Sequence, residues 1–259
     1  MWGPMRSISI FLATVFLVSL GGSAAWATPT TIVIRVLAKD AKFVGTDMGG
    51  VQITLRDAAS GEVLAQGLVE GATGSTPVIM KEGRARRQTL SDAKSAKFSA
   101  TLDLDRPRQI TVTATGPNSP KQSATTVSST QWVIPGKNID GGDGWVLELP
   151  GFVVSALNPV TEITLSATRK IPVHVKVMMM CGCPITPDGQ WDANKFEIVA
   201  LLAQGGKTPR TMPLSYAGKS SEFGGEIEVA DKGQYEMTIY AYDPANGNTG
   251  LDRFMVTVK

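Results

Sequence analysis

Residues 233–258 read GQYEMTIYAYDPANGNTGLDRFMVTV, and this stretch indicates how most of the chain folds. Two runs that alternate between apolar and polar side chains flank a centre rich in Asp, Asn, Gly and Pro. Alternation with a period of two is typical of a half-buried β-strand, because successive side chains of a strand point to opposite faces. Asn, Asp and Gly suit the tight backbone of a connecting loop. The stretch therefore predicts a β-hairpin.

The same alternation recurs along the chain, in short β-branched runs bounded by Gly, Pro, Asn or Asp. Examples are TIVIRVLA, VQITLRD and RQITVTAT in the first half, and EITLSAT, IPVHVKVMMM and KFEIVALLA in the second. Strand signals spaced by roughly 10–15 residues, without a long 3.6-residue period, favour antiparallel sandwiches over alternating strand–helix units. We therefore predict an all-β protein with two consecutive antiparallel β-sandwich domains, residues 28–157 and 158–259.

Two local resemblances agree with this division. Residues 50–74, GVQITLRDAASGEVLAQGLVEGATG, resemble the first hairpin of transthyretin-like and carboxypeptidase-regulatory-like domains. In the opening hairpin, Ala241, Asp243, Gly247 and Asn248 are similar to the A-x-D…G-N turn in the last hairpin of bacterial Ig-like domains. Both resemblances consist mostly of turn chemistry. They imply an Ig-like or transthyretin-like fold and leave the activity open, because such sandwiches host many functions.

Residues 1–27 have the composition of a secretory signal peptide. Arg6 supplies a positive charge, ISIFLATVFLVSL supplies an apolar run, and Ala25-Trp26-Ala27 is an A-x-A cleavage site. The apolar run is shorter than the ~20 residues that a membrane-spanning helix needs. We therefore expect an exported protein, periplasmic or extracellular, that is not an integral membrane protein.

The charge balance argues against nucleic acid as a partner. The whole chain has a formal net charge of +2, and residues 1–27 contain one basic and no acidic residue, so their removal lowers it to +1. A nearly neutral surface has little attraction for a phosphate backbone. We expect instead a metal ion or a periplasmic or cell-surface protein as the partner.

Two loops are rich in oxygen ligands. Residues 138–144 read NIDGGDG and residues 243–252 read DPANGNTGLD. Their spacing does not match the EF-hand loop, and tight turns explain this composition more simply, although calcium stays open at either loop.

The most unusual segment is VHVKVMMMCGCPITPDG, residues 173–189, which contains the chain's one histidine and both of its cysteines. His174 alternates with the valines of a predicted strand, so we expect it on the outer face, apart from any cysteine site. Ser-His-Asp and Cys-His catalytic templates need a histidine beside the nucleophile. We therefore predict that the protein is not an enzyme.

Three chemistries compete for Cys181 and Cys183. A disulfide needs Gly182 to bend the backbone, since positions i and i+2 of an extended strand lie about 6.5–7 Å apart, at the upper limit of disulfide geometry. A soft-metal site would use both thiolates with Met179 or Met180, because sulfur ligands select Cu(I). In the third interpretation the methionines fill a core edge and the cysteines form a structural bridge. Alternation continued through this segment places Met179, Cys181 and Cys183 on the valine face.

The function predicted from the sequence is an exported, non-enzymatic binding protein with a Cu(I) site at Met179, Met180, Cys181 and Cys183. Two alternatives stay open: a structural or adhesion module with a Cys181–Cys183 disulfide, and a thiol–disulfide redox protein. The two-residue spacing argues against the redox protein, because it differs from the C-x-x-C motif at a helix N-terminus that activates a thiol.

Overall fold

A computed structural model describes residues 27–83, 85–158, 161–164 and 169–259. The predicted signal peptide, except for Ala27, lies outside these described residues. The strands, numbered in chain order, are β1 (Thr28–Ala38), β2 (Val51–Asp57), β3 (Val63–Val69), β4 (Phe98–Leu104), β5 (Arg108–Gly116), β6 (Thr125–Val133), β7 (Trp145–Leu149), β8 (Phe152–Asn158), β9 (Glu162–Ile163), β10 (Lys170–Met179), β11 (Glu197–Ala203), β12 (Arg210–Pro213), β13 (Ser215–Tyr216), β14 (Glu222–Glu228), β15 (Gly233–Asp243) and β16 (Asn248–Val258).

Helical structure is limited to single turns. These are Thr46–Met48, Lys121–Ser123 and Ala193–Lys195, which are 3-10 turns, and Pro77–Lys81, which is a π-helical turn. Among the residues that the structure describes, no helix has the length and hydrophobicity needed to cross a bilayer.

Four sheets form two consecutive sandwiches, which confirms the predicted all-β fold class. In the first sandwich, a sheet of strand order β4-β1-β7 packs on a sheet of order β3-β2-β5-β6. In the second, the orders are β13-β14-β10-β8 and β12-β11-β15-β16-β9. Neighbouring strands are antiparallel except for β1 with β7 and β16 with β9, which run parallel.

Alternation along the strands produces the core. In β10, Ile171, Val173, Val175 and Val177 are at most 2% exposed, whereas every second residue between them is exposed or half-buried. Burying a side chain of this size stabilises the fold by about 1.5–3 kcal/mol. Both hairpins behind the family resemblances also form, β2 with β3 and β15 with β16. The period-two pattern therefore reflects strands with one buried and one exposed face, as the sequence indicated.

The two sandwiches are in direct contact, and the boundary at residue 158 stays a prediction. β8, which precedes that boundary, pairs along β10 of the second sandwich. Across the contact, Lys39 Nζ donates to the Asn246 carbonyl and Trp191 Nε1 donates to the Asp40 carbonyl, both at 2.9 Å. The buried apolar side chains of both sandwiches form one continuous cluster. A cleft at this contact contains the candidate site.

Candidate functional site

The chain reverses direction directly after β10, in a tight loop that contains both cysteines. The Met179 N–H donates to the Cys183 carbonyl at 3.1 Å, and the Gly182 N–H donates to the Met179 carbonyl at 2.8 Å. Gly182 has a φ of 77°, a left-handed conformation that glycine adopts at no steric cost. A turn followed by a left-handed glycine is a common way to close a three-residue hairpin loop. We refer to residues 179–183 as the sulfur loop.

The turn places both cysteines beside a cleft. Alternation holds as far as Met179, which is 1% exposed and lies on the valine face of β10. Beyond it, Cys181 and Cys183 border a cleft together with Lys176 and Met178, which belong to the opposite face. Both cysteines are nonetheless as buried as the valine face, at 1% and 5% exposed, so the expectation that they share that face stays a prediction.

Cys181 and Cys183 form a disulfide in this structure, with their Cα atoms 5.3 Å apart. This separation is ordinary for a disulfide, because the left-handed Gly182 brings the two residues closer than an extended strand would. Both cysteines of the chain are therefore paired. Only 1% of Cys181 and 5% of Cys183 is exposed, and both residues line a cleft.

The cleft lies between the two sandwiches and has a volume of about 520 Å³. Met48 reaches it from the first sandwich and Met178 from the second. Met48 packs against the sulfur loop so closely that a Cβ atom on Gly182 would stand 2.6 Å from the Met48 Sδ. The lining therefore contains four sulfur-bearing side chains, with Cys181 and Cys183 as the other two. We call this space the sulfur cleft.

Backbone hydrogen bonds hold Met48 in place. The turn Thr46–Met48 ends at Gly49, whose φ of 69° is left-handed. The Met48 N–H donates to the Gly45 carbonyl at 3.1 Å, and the Met48 carbonyl accepts from the Ser119 N–H at 3.0 Å. Met48 is 4% exposed. Its side chain is therefore almost fully enclosed where it lines the cleft.

Hydrogen bonds also hold the segment that follows the sulfur loop. The Ile185 N–H donates to Ser221 Oγ at 3.1 Å, and the Ile185 carbonyl accepts from the Ser221 N–H at 2.9 Å. Further along, Trp191 lines the sulfur cleft and is bonded through its indole N–H to Asp40 of the first sandwich. Both walls of the cleft are therefore anchored to strands or to the opposite sandwich.

The charges at the cleft are mainly positive. Lys42 from the first sandwich and Lys176 from β10 line it, and Asp47 is the acidic residue of the lining.

The structure places the two predicted methionine ligands elsewhere. Met179 is in the core, and Met180, 2% exposed, lines a second cleft next to Gly151. Neither lines the sulfur cleft. The sequence offered no signal for Met48, which lies far from the cysteines in the chain. Strand alternation placed Met178 on the face opposite the valines and the cysteines, so it was not predicted as a ligand.

His174 lies apart from the sulfur cleft, on the outer face of β10, with Nε2 at 2.8 Å from Glu222 Oε2. Lys219 Nζ approaches the other carboxylate oxygen of Glu222 at 2.7 Å. The hydrogen bond from Lys219 is the largest cause that holds the pKa of Glu222 below its ordinary value, although burial of the carboxylate opposes it. The three side chains form a small polar cluster on the second sandwich.

The residues that the structure describes contain no group of three or more His, Cys, Asp or Glu side chains arranged to hold a metal ion. Acidic side chains of the two polar loops bond to other protein groups instead. Asp143 accepts from the N–H groups of Leu90 and Ser91, and Asp243 accepts from the N–H of Ala245. These carboxylate oxygens are therefore already used in hydrogen bonds within the protein.

No protein-family model and no curated protein matches the chain. Among solved structures, it is similar to an engineered protein with 18% identity over 49% of this chain and 24% of that one, at a TM-score of 0.31. Fibronectin(III)-like modules of CbhA from Clostridium thermocellum match with 9% identity, over 89% of this chain and 94% of theirs, at a TM-score of 0.28.

A third similar structure is Dpr2 Ig1-Ig2, solved in complex with DIP-Theta Ig1-Ig3. It has 9% identity over 89% of this chain and 66% of that one, at a TM-score of 0.23. TM-scores this low support no conclusion about activity, so the function has to be argued from the site.

Proposed function

We propose that this protein is an exported, non-enzymatic β-sandwich protein that binds Cu(I) in the sulfur cleft once the Cys181–Cys183 disulfide has been reduced. The supporting observation is that one cleft collects two cysteine and two methionine side chains, drawn from both sandwiches. Thiolate and thioether sulfur are soft donors, and they select Cu(I) over harder divalent ions.

Reduction has to precede binding. A dithiol reductant supplies two electrons and two protons to the disulfide and becomes a disulfide itself, leaving two thiols on the sulfur loop. Each thiol that binds the metal then releases its proton, because thiolate is the ligand. Two thiolates with one Cu(I) have a net charge of −1, which Lys42 and Lys176 at the cleft offset.

Met48 and Met178 are the thioether donors of this proposal, in place of Met179 and Met180. They line the same cleft as the cysteines, and they belong to different sandwiches. A metal bound by both would join the two sandwiches. The protein would then hold copper between its domains.

Anaerobic titration of the reduced protein against a competing Cu(I) chelator tests the proposal. We expect the wild type to retain about one Cu(I) per chain against the chelator. The Cys181→Ser/Cys183→Ser variant should lose this ability while keeping its thermal stability. If the reduced wild type competes no better than that double variant, the copper proposal is wrong.

Methionine variants separate the two ligand sets. Met48→Leu and Met178→Leu keep nearly the same volume and remove one sulfur each. Both should weaken Cu(I) retention. Met180→Leu is the matched control, a buried methionine adjacent to Cys181 that lines another cleft. Weaker retention in Met180→Leu alone would favour the ligand set predicted from the sequence.

A structural disulfide is the second candidate, and the closed Cys181–Cys183 bond favours it. Under this alternative the protein is a structural or adhesion module, and the bridge only stabilises the loop. The untreated protein would then be two hydrogens lighter than the reduced protein by mass spectrometry, and the reduced form would bind no copper. The two measurements together distinguish the candidates.

A further inference from the structure

Strand β6 forms an open edge of the first sandwich. It is the last strand of the β3-β2-β5-β6 sheet and pairs with β5 along its whole length. Within the described ranges, no backbone hydrogen bond reaches Thr125–Val133 from its other side. An edge of this kind presents a row of unpaired N–H and C=O groups to which another strand can bond.

The side chains of β6 are correspondingly open. The residues of β6 that alternate outward are all exposed. Those that alternate inward are half-buried, except for Val133 at the end of the strand, which is buried. In the neighbouring strand β5, by contrast, the inward residues Ile110, Val112 and Ala114 are 0% exposed. Trp132 on β6 is 61% exposed, the largest value among the exposed large apolar side chains of the described residues.

This edge also lacks the usual protection against pairing. Residues 122–136 contain no charged side chain, and Pro135 lies beyond the end of β6, whereas exposed edges are normally guarded by Lys, by Pro within the strand or by a covering element. The uncharged edge strand β8 shows such a cover. Its Val154 N–H donates to Ser123 Oγ at 3.2 Å, and its Ala156 N–H donates to Asp252 Oδ2 at 2.9 Å.

The opposite edge of the same sheet is guarded by charge. Strand β3 is flanked by Glu62 and Glu70. If two copies paired antiparallel about Gln66, at the centre of β3, Glu62 of one copy would face Glu70 of the other. Like charges placed directly opposite each other destabilise a strand pair.

We infer that β6 is a self-association edge, at which two copies of this chain pair antiparallel about Ser129. In this register Ser128 faces Thr130 of the second copy and Thr126 faces Trp132, so no charged side chain lies within the paired strands. Lys121 and Lys137, which this register would set opposite each other, lie four residues beyond the ends of β6. The pair has two-fold symmetry, the commonest form of oligomer. It turns two four-stranded sheets into one continuous sheet and covers much of the exposed indole. This inference does not depend on the copper site.

Sedimentation equilibrium over a wide concentration range tests the inference on protein lacking residues 1–27. The wild type should shift from monomer to dimer as concentration rises, without larger species. The Ser128→Lys/Thr130→Lys variant should stay monomeric, since lysines would face lysines across the edge. Both positions are exposed, so its melting temperature should match the wild type. The Gln66→Lys variant, with its charge on the opposite edge, is the matched control and should still dimerise.

A charge swap identifies the pairing directly. The Ser128→Glu/Thr130→Glu variant should also be monomeric alone, and an equimolar mixture with the lysine variant should recover a dimer. Tryptophan emission should shift to the blue in that mixture, because Trp132 becomes covered while Trp145 and Trp191 are already buried. A wild type that stays monomeric throughout, an unpaired mixture, or equal disruption by Gln66→Lys would each overturn the inference.

Discussion

Two loops of the second sandwich reverse the chain after a long strand with a similar backbone, but their side chains have different roles. The loop between β15 and β16 and the sulfur loop after β10 each contain a left-handed glycine, Gly247 with a φ of 71° and Gly182 with a φ of 77°. In the first loop, the Gly247 N–H donates to the Asp243 carbonyl at 2.8 Å, which parallels the Gly182–Met179 bond of the second. The backbone problem is therefore similar in the two loops.

The side chains differ in what they do. In the polar loop, Asp243 Oδ1 accepts from the Ala245 N–H at 2.9 Å and Asn246 Oδ1 accepts from the Asn248 N–H at 2.8 Å. In the sulfur loop, main-chain hydrogen bonds and the Cys181–Cys183 disulfide close the turn, and both cysteines line a cleft shared with the other sandwich. Asp243 and Asn246 are accounted for by bonds within their own loop, whereas the Met48 and Met178 side chains at the cleft close neither loop.

The largest effect should come from the strand that carries the sulfur loop. Val175 is 0% exposed, and Val175→Asp buries a charge without a partner, which should reduce the free energy of unfolding by more than about 3 kcal/mol. Urea denaturation measures this. Val146→Asp, at a position 39% exposed on β7, is the control and should change little. Equal stability of the two variants would contradict the assignment of β10 as a core strand.

The polar loop should be most sensitive at Asn248. Its Oδ1 accepts from the Gly151 N–H at 2.6 Å and its Nδ2 donates to the Gly151 carbonyl at 3.0 Å, in a buried position. Asn248→Ala leaves both backbone groups unpaired, which should cost about 2–3 kcal/mol. Asn246→Ala, in an exposed position of the same loop, should cost about 1 kcal/mol or less. Chemical denaturation of both variants tests whether the Asn248 side chain stabilises the fold through its two bonds to Gly151.

The two glycines allow the loops to be compared directly. Gly247→Ala meets no atom within 4 Å, so it should destabilise only through its left-handed backbone, by about 1 kcal/mol. Gly182→Ala has that cost and must also displace Met48, which should add roughly 1 kcal/mol. Thermal unfolding of both variants gives the difference. If they are equally stable, Met48 does not pack tightly on the sulfur loop, and its role as a copper ligand loses support.

The smallest effect concerns acid. Hydrogen bonding from Lys219 holds the pKa of Glu222 below its ordinary value of 4.5. Since the folded-state pKa is the lower one, the contribution to stability is present above pH 4.5 and is lost as pH falls through the depressed value. Glu222→Gln should therefore lose less stability than the wild type on acidification below that pH, as measured by urea denaturation. Glu226→Gln, exposed on the same strand, should behave like the wild type.

Much of the fold could be predicted because it rests on local patterns. The alternation in IPVHVKVMMM determines which face of β10 is buried, and it holds residue by residue from Ile171 to Met179. The turn composition of residues 243–248 marked the hairpin loop for the same reason. The candidate site was predicted in part, at Cys181 and Cys183, because two rare residues lie beside each other in the sequence. Met48 was not predicted, since alternation within one strand carries no information about residues far away in the chain.

By itself, the sequence determined the all-β fold class, the strands of the two sandwiches and the segment that carries the unusual sulfur chemistry. These are local properties, set by side-chain period, turn residues and composition. Only the tertiary structure decided that Met48 meets Gly182, that Met178 joins the cysteines while Met179 and Met180 do not, and that β6 is an open edge. Contacts between residues far apart in the chain depend on how sheets are ordered and sandwiches pack, and no local period encodes that order.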